Sequence, residues 1–332
     1  MKLCTFEIAS ALGPISRIGM ETPGAKILDL NAACELKLAE QIGARSARNL
    51  ADALVPPDML GFIDNGTIAR ETLDGALAYL GAKIENPGLR GIRGGRVVWN
   101  RDEVRLLAPL PRPRSMRDCL AFEEHYKNAL RDHPIPPVWY EVPIYYKGNP
   151  NTVQGTDSEV PWPPYTETLD YELEFAVVVG KEGRDLTPDQ AWKHIFGYTI
   201  FNDVSARDIQ MKEMAALLGP AKGKDMDGGN LLGPFIVTAD AWDPRDDHKM
   251  VARVNGEVWG GGTTRAMHHH FGKIVSYVSW GETIVPGDVI GSGTVGTGCG
   301  LELGKYPKPG DLIELEVDGL GVLSTRFVKQ AR

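Results

Sequence analysis

Helical spacing of apolar residues dominates the first hundred positions. Lys26-Ile27-Leu28-Asp29-Leu30 reads as a short strand. Asn31 is placed to cap a helix that runs through Ala33, Leu36 and Leu38 to Ile42. A second helix is expected from Thr67 to Leu80, with Ile68, Leu73, Leu77 and Leu80 as its apolar stripe. No catalytic residue types gather here, so this part reads as scaffold or interface. The run Ala108-Pro109-Leu110-Pro111-Arg112-Pro113-Arg114 resists both helix and central strand, which predicts a linker. The division is then a smaller N-terminal α/β domain over 1–110 and a larger domain over 111–332.

Beyond the linker the pattern changes to short strands between glycine and proline turns. Pro286-Gly287-Asp288 and Pro309-Gly310-Asp311 each precede an apolar run, and proline followed by glycine suits the centre of a type II turn. Thr187-Pro188-Asp189 marks a helix start, with Thr187 as cap. The expected class is α+β, mainly β, with a few helices packed outside.

Strict alternation is clearest in Leu169-Asp170-Tyr171-Glu172-Leu173-Glu174-Phe175, which continues into Ala176-Val177-Val178-Val179. It predicts one strand with Leu169, Tyr171, Leu173 and Phe175 on one face, and Asp170, Glu172 and Glu174 on the other. Acids on one strand face lie roughly 6.5–7 Å apart, from about 3.3 Å of rise per residue. In an apolar strand they repel one another and resist desolvation. A solvated outer face removes that conflict, and so does a hard cation bound between the acids. A second polar cluster favours the cation. The apolar strand Gly197-Tyr198-Thr199-Ile200-Phe201 ends in Asn202-Asp203-Val204-Ser205-Ala206-Arg207-Asp208-Ile209-Gln210, and polar residues at the end of a buried strand commonly build a site. A helical turn after Asp203 would put Arg207 and Gln210 on one face.

Composition narrows the partners. The chain has 332 residues, 42% hydrophobic and 24% charged, with a net charge of −8. That surface repels phosphate backbones and acidic membranes, so nucleic acid is not an expected partner. No run of about 18 apolar residues is present, so no membrane span is expected. The start, Met1-Lys2-Leu3-Cys4-Thr5-Phe6-Glu7, lacks a signal-peptide core, and the cytoplasm is the expected compartment. Cys4, Cys34, Cys119 and Cys299 form no CxxC pair. They read as buried free thiols, with no support for a zinc site built on sulfur.

These motifs, together with Gly291-Ser292-Gly293-Thr294 and the closing Pro309-Gly310-Asp311 through Gly319-Leu320-Gly321, resemble the fumarylacetoacetate hydrolase family. The resemblance covers nearly all of 110–332 and, more loosely, the first domain. It implies a mixed β-roll, usually dimeric, with a metal at the mouth of the sheet. By the same resemblance Glu172, Glu174 and Asp203 match the core metal carboxylates and Asp118 an additional ligand. His125 matches a general base, and Glu302 its carboxylate partner. Lys224, Arg207, Gln210 and Thr294 match groups that hold substrate or stabilise developing charge, and Tyr146 a tyrosine that contacts substrate. The chain departs from the family at Cys119-Leu120, where Phe-Tyr is usual, and in the acidic stretch Asp225-Met226-Asp227-Gly228-Gly229.

The residue types suit cleavage of a carbon–carbon bond between two carbonyls in a 1,3-diketo acid, an acylpyruvate or fumarylacetoacetate-like compound. A divalent cation, Mg²⁺ with Mn²⁺ or Ca²⁺ fitting the same oxygens, would polarise a carbonyl and absorb enolate charge. Imidazole exchanges protons near neutral pH, so His125 could activate a water, with Glu302 orienting the ring. Lyase or isomerase chemistry on a 2-oxo acid uses the same cation. A binding protein without turnover is the third reading, disfavoured because unused buried acids are costly. The expected partners are a small-molecule substrate and a second copy of the chain.

Two further motifs mislead. Adjacent His268-His269-His270 cannot all reach one ion from a regular helix, and the spacing of Phe271, Ile274, Val275 and Val278 predicts a helix start instead. Gly291-Ser292-Gly293-Thr294-Val295-Gly296 formally fits GxGxxG. The alternating Leu301-Glu302-Leu303 shortly after it predicts a strand, whereas a dinucleotide site needs a helix.

Overall fold

The structure is a computed structural model that describes residues 1–329, Leu12 and Asp132 excepted. It is a mixed α/β fold built around one large sheet. The strands follow the order Val98–Asn100, Lys26–Asp29, Ile15–Thr22, Lys2–Ile8, Asn230–Thr238, Ile195–Asp203, Glu174–Val179, Asp288–Gly291, Ser115–Cys119 and Tyr145–Gly148. Two short strands attach beside this path. A five-stranded sheet, ordered Glu257–Thr263, Lys249–Val254, Leu312–Val317, Gly321–Lys329 and Ser158–Trp162, lies against it.

Alternation along Glu174–Val179 feeds two cores. Phe175, Val177 and Val179 point into a cluster with Ile313, Leu315 and Phe327 of the smaller sheet. Ala176 and Val178 enter a second cluster with Leu30, Ala33, Leu73 and Ala76 of the N-terminal helices. A strand buried on both faces has no solvated side, so its acids must be used or paired. The first hundred residues are continuous with this sheet. Leu3 pairs with Ile236 across the Lys2–Ile8 and Asn230–Thr238 ladder.

Several local expectations shift. The helix Leu30–Ile42 is capped by Asp29, whose carboxylate accepts from the Ala32 N–H at 2.9 Å. Asn31 is instead fully buried, its amide donating to Asp52 (2.9 Å) and to the Val55 carbonyl (2.8 Å). The helix Gly66–Leu80 buries Ala69, Leu73, Ala76 and Leu80, while Ile68 is 60% exposed. Alanine rather than a large side chain lets this helix lie close to its neighbours. The Pro-Gly-Asp turns form as expected, with Gly287 and Gly310 at φ 84° and 100°. Thr187 caps Pro188–Ala191 through a reciprocal box with Gln190.

The predicted strand 169–179 is interrupted. Leu169–Asp170 and Glu174–Val179 are strands. The residues between them leave the sheet to meet the loop 295–299, where Leu173 donates to the Gly298 carbonyl (3.0 Å) and accepts from the Val295 N–H (3.1 Å). The predicted strand at Leu301-Glu302-Leu303 is a short helix, Gly300–Leu303. Its cause is Asp170, whose carboxylate accepts from the Gly300 and Leu301 N–H groups at 2.8 and 2.9 Å. An acid capping the amino end satisfies the free amides of a first turn. Those amides are therefore unavailable to a pyrophosphate, and GxGxxG here is not a dinucleotide cradle.

Candidate active site

Four adjacent strands bring the acids to one end of the large sheet. Asp203 ends Ile195–Asp203, Glu174 begins the neighbouring antiparallel strand, and Asp118 lies in Ser115–Cys119. The strand between the last two carries Gly291, which pairs with Asp118 in parallel register. A carboxylate oxygen from each of Asp118, Glu174 and Asp203 lies within 4.8 Å of the others. All three residues are buried.

Glu172 stands beside this triplet. Its carboxylate accepts from Lys224 Nζ at 2.7 Å and pairs with Arg207 Nη1 at 2.8 Å. Lys224 Nζ also reaches Asp203 Oδ2 at 2.6 Å, so one ammonium bridges Glu172 to the triplet. The Tyr146 hydroxyl donates to the same Asp203 oxygen at 2.6 Å, and Tyr146 sits opposite Asp118 in the sheet. The Thr294 hydroxyl donates to Glu174 Oε1 at 3.1 Å. Arg207 is held from the other side by Asp170 (2.8 Å) and donates to Gln210 at 3.0 Å from within the helix Arg207–Met214. This guanidinium is occupied by protein groups. Asp208 takes no part in that pairing and accepts from the Thr166 hydroxyl instead.

The electrostatics separate the acids into two kinds. Burial, then the charge of Asp203, raises the Asp118 carboxyl to about 8. Glu174 is pushed well above its ordinary value by burial, then by Asp118, Glu172 and Asp203. Burial raises Asp203 too, against the pull of Lys224. Glu172 goes the other way. Burial opposes ionisation, but Lys224 and Arg207 hold its carboxyl down at about 2. Among the described residues, Glu174 Oε2 and Asp203 Oδ1 are buried without a hydrogen-bond partner. Crowded, oxygen-only ligands with unpaired buried atoms fit a hard divalent cation, and Asp118, Glu174 and Asp203 would hold it, with Glu172 adjacent.

Protonation of the triplet sets a sign for stability. The folded-state values of Asp118, Glu174 and Asp203 are raised above ordinary carboxylates. Their contribution in the metal-free protein is complete below about pH 4 and is lost as pH climbs, through about 8 in the case of Asp118. Glu172 acts oppositely, but only in the acid range between its value of about 2 and the unfolded value. The metal-free protein is therefore expected to melt at progressively lower temperature from pH 4.5 to pH 8. Saturating Mg²⁺ should flatten the trend. Thermal unfolding across pH, with and without the cation, checks this, and a flat metal-free profile would contradict it.

Gly291 is needed for space. A methyl group there would fall 2.3 Å from Asp118 Oδ1 and 2.9 Å from the buried Phe201 ring. Its backbone φ is not positive, so the constraint is steric. Gly291→Ala is expected to displace the Asp118 carboxylate and weaken cation binding by roughly tenfold or more. Calorimetric titration checks it, and unchanged affinity would show that Asp118 is not a ligand.

A second constellation adjoins the first. His125, on the helix Glu123–Leu130, has its Nδ1 2.9 Å from Glu302 Oε1. The Glu302 side chain is 1% exposed. Glu172 forms an isolated bridge with Cys299, three residues before Glu302, which ties the two constellations together. All four cysteines are free and buried. His268–His270 make no cluster with the acids. His270 precedes the helix Phe271–Ser279 without a capping bond from its side chain, and His269 bonds the Trp139 carbonyl at 2.5 Å. Cys119 is buried, and the Leu120 carbonyl accepts from the Trp139 indole at 2.7 Å.

Sequence reasoning missed three participants. Asp170 fixes both Arg207 and the turn that delivers Glu302. Asn202 accepts from the Glu172 N–H at 3.0 Å and thereby sets the backbone of that acid. Cys299 meets the histidine pair. Asp170 belongs to the alternating motif, so the acidic face could have pointed to it; Cys299 had no such signal.

A family signature described as fumarylacetoacetate (FAA) hydrolase C-terminal matches residues 115–328. A human mitochondrial oxaloacetate tautomerase is 31% identical over 334 residues, which cover 99% of this chain and 92% of that protein. An oxaloacetate tautomerase of Bacillus subtilis is 33% identical over 237 residues, 70% of this chain and 76% of the other. Among solved structures, a fumarylacetoacetate hydrolase from Exiguobacterium antarcticum is 28% identical with a TM-score of 0.71, covering 99% of this chain and 100% of its own. Among the described residues no helix is long and apolar enough to cross a membrane. With a mitochondrial protein among the relatives, the cytoplasmic expectation rests on the sequence alone.

Proposed function

Since the chain belongs to the fumarylacetoacetate hydrolase family, we propose that it is a divalent-cation enzyme that interconverts keto and enol forms of a 2-oxo dicarboxylic acid of the oxaloacetate kind. The observation that carries this reading is the meeting of an oxygen-only cradle with a histidine–carboxylate pair. A bound divalent cation would polarise the 2-oxo group and stabilise negative charge on its oxygen. His125 removes the proton from the carbon beside the carbonyl. The C–H electron pair becomes the C=C bond, the carbonyl π pair moves to oxygen, and that oxygen takes up a proton to give the enol. Glu302 holds the imidazole and stabilises its protonated form. Lys224 and Tyr146, both bonded to Asp203, keep positive charge and a hydroxyl beside the developing enolate.

Tautomerisation is favoured by the two tautomerase relatives, which match at 31% and 33% identity. It also needs no water held for attack. Hydrolysis of a carbon–carbon bond in a 1,3-diketo acid is the second reading. It is supported by the same pair acting on water and by the likeness to the Exiguobacterium hydrolase at 28% identity. Mg²⁺ is the proposed ion and a homodimer the proposed assembly, which light scattering tests.

Ultraviolet absorbance of the enol form distinguishes the two. With Mg²⁺, enol oxaloacetate is expected to relax faster than in enzyme-free buffer to the same keto–enol equilibrium, with no fragment released. Acylpyruvates split into two acid fragments would establish hydrolysis instead. No acceleration on either substrate would defeat both readings.

A further inference from the structure

His125, Cys299 and Glu302 each place a metal-ligating atom within 4.8 Å of the other two. No spacing in the chain foretells this, since His125 and Glu302 are 177 residues apart. The donors are of a different kind from the acid triplet: an imidazole nitrogen, a thiol sulfur and one carboxylate. Glu302 uses Oε1 for His125, while Oε2 is buried and, among the described residues, has no hydrogen-bond partner. The His125 and Glu302 side chains are 8% and 1% exposed, so the group is built into the interior. We propose that His125, Cys299 and Glu302 form a second, inhibitory site for a thiophilic transition ion, Zn²⁺ being the physiological candidate.

The chemistry separates the two sites. Magnesium takes hard oxygen ligands, whereas nitrogen and sulfur select zinc. Bond lengths of about 2.0–2.3 Å put ligands of a tetrahedral zinc roughly 3.3–3.7 Å apart, so side-chain rotations of about 1 Å close the site. On binding, the Cys299 thiol proton passes to the buffer, the sulfur lone pair becomes the S–Zn bond, and a water completes the coordination. The thiol is protonated beforehand, since burial raises it well above its ordinary value. Zinc deprotonates a coordinating thiol outright. Coordination occupies the imidazole lone pair and removes Glu302 from His125. The inhibitory part of the proposal thus rests on the reading of His125 as the base.

The test uses protein saturated with Mg²⁺. Cobalt reports thiolate coordination by a near-ultraviolet charge-transfer band that oxygen ligands do not give. One equivalent of Co²⁺ should produce the band in the parent and not in Cys299→Ser, and Zn²⁺ should abolish it. Zinc inhibition, measured against each protein's own uninhibited rate, should weaken roughly ten- to a hundredfold in Cys299→Ser. Cys34→Ser serves as a control for loss of a buried thiol elsewhere, and should behave as the parent. If Cys299→Ser does not fold, the parent decides alone, since absence of the band overturns the proposal. Zinc inhibition without the band, or an equal band in Cys299→Ser, overturns it as well. The band needs no turnover, so its appearance supports the site even where the catalytic reading fails.

Discussion

Glu174→Gln is expected to lose about 10³-fold in turnover, the equivalent of the several kcal/mol of charge stabilisation that a catalytic cation supplies. Divalent-cation binding should disappear with it. The metal-free variant should nevertheless melt several degrees above the metal-free parent at pH 8. Glu174 is fully buried between Asp118, Glu172 and Asp203, and its carboxyl is held well above its ordinary value. Folding the metal-free parent at pH 8 therefore either protonates or desolvates a carboxylate that is ionised and hydrated when unfolded, and the unfavourable term grows with pH. Glutamine keeps the shape and can still accept from Thr294 through its amide oxygen. The gain should vanish near pH 4, where both forms are neutral. A variant equally unstable at both pH values would show that Glu174 serves packing rather than a cation.

His125→Gln is expected to lower turnover by roughly 10²–10³-fold, the usual range for a positioned acid–base group. Cation affinity should stay unchanged, because His125 lies outside the acid triplet. Glutamine is preferred to alanine here. Its amide can donate to Glu302, which alanine would leave buried and unpaired at an added cost in stability. The loss should appear in kcat with little change in KM, as for a group acting mainly in the transition state. Glu302→Gln should lose less, since it retains the imidazole. Full turnover in His125→Gln with cation still bound would remove the base assignment.

The parts of this site legible in the sequence were those governed by local periodicity. Alternation at 169–179 put Phe175 and Val177 in one core, left Glu174 to the acidic side, and anticipated the turns at Gly287 and Gly310. What long-range charge decides was hidden. Lys224 reaches Glu172 across 52 residues and Asp203 across 21, so no spacing rule marks Glu172 as the paired acid. Asp170 likewise acts 130 residues away, and it converts an alternating Leu301-Glu302-Leu303 into a helical turn. In the N-terminal part, Ala47, Ala51, Ala69 and Ala76 line the buried helix faces. Small residues at such contacts give a weak periodic signal. The helix Ala44–Leu54 therefore leaves no stripe in the sequence, and the stripe of Gly66–Leu80 runs through Ala69 and Ala76 rather than Ile68. Asp29 outcompeted Asn31 as a cap because Asn31 was committed to Asp52 and Val55.

The most direct test is calorimetric titration of Mn²⁺ into metal-stripped protein at pH 6.5, in two buffers with different ionisation enthalpies. Asp118, raised to about 8, carries a proton at that pH, and burial among acids pushes Glu174 upward as well, so cation entry must release protons. One cation per chain is expected, with a heat that differs between the buffers and is absent in Glu174→Gln. Binding without proton release, or undiminished in Glu174→Gln, would mean that the buried acids do not hold the ion.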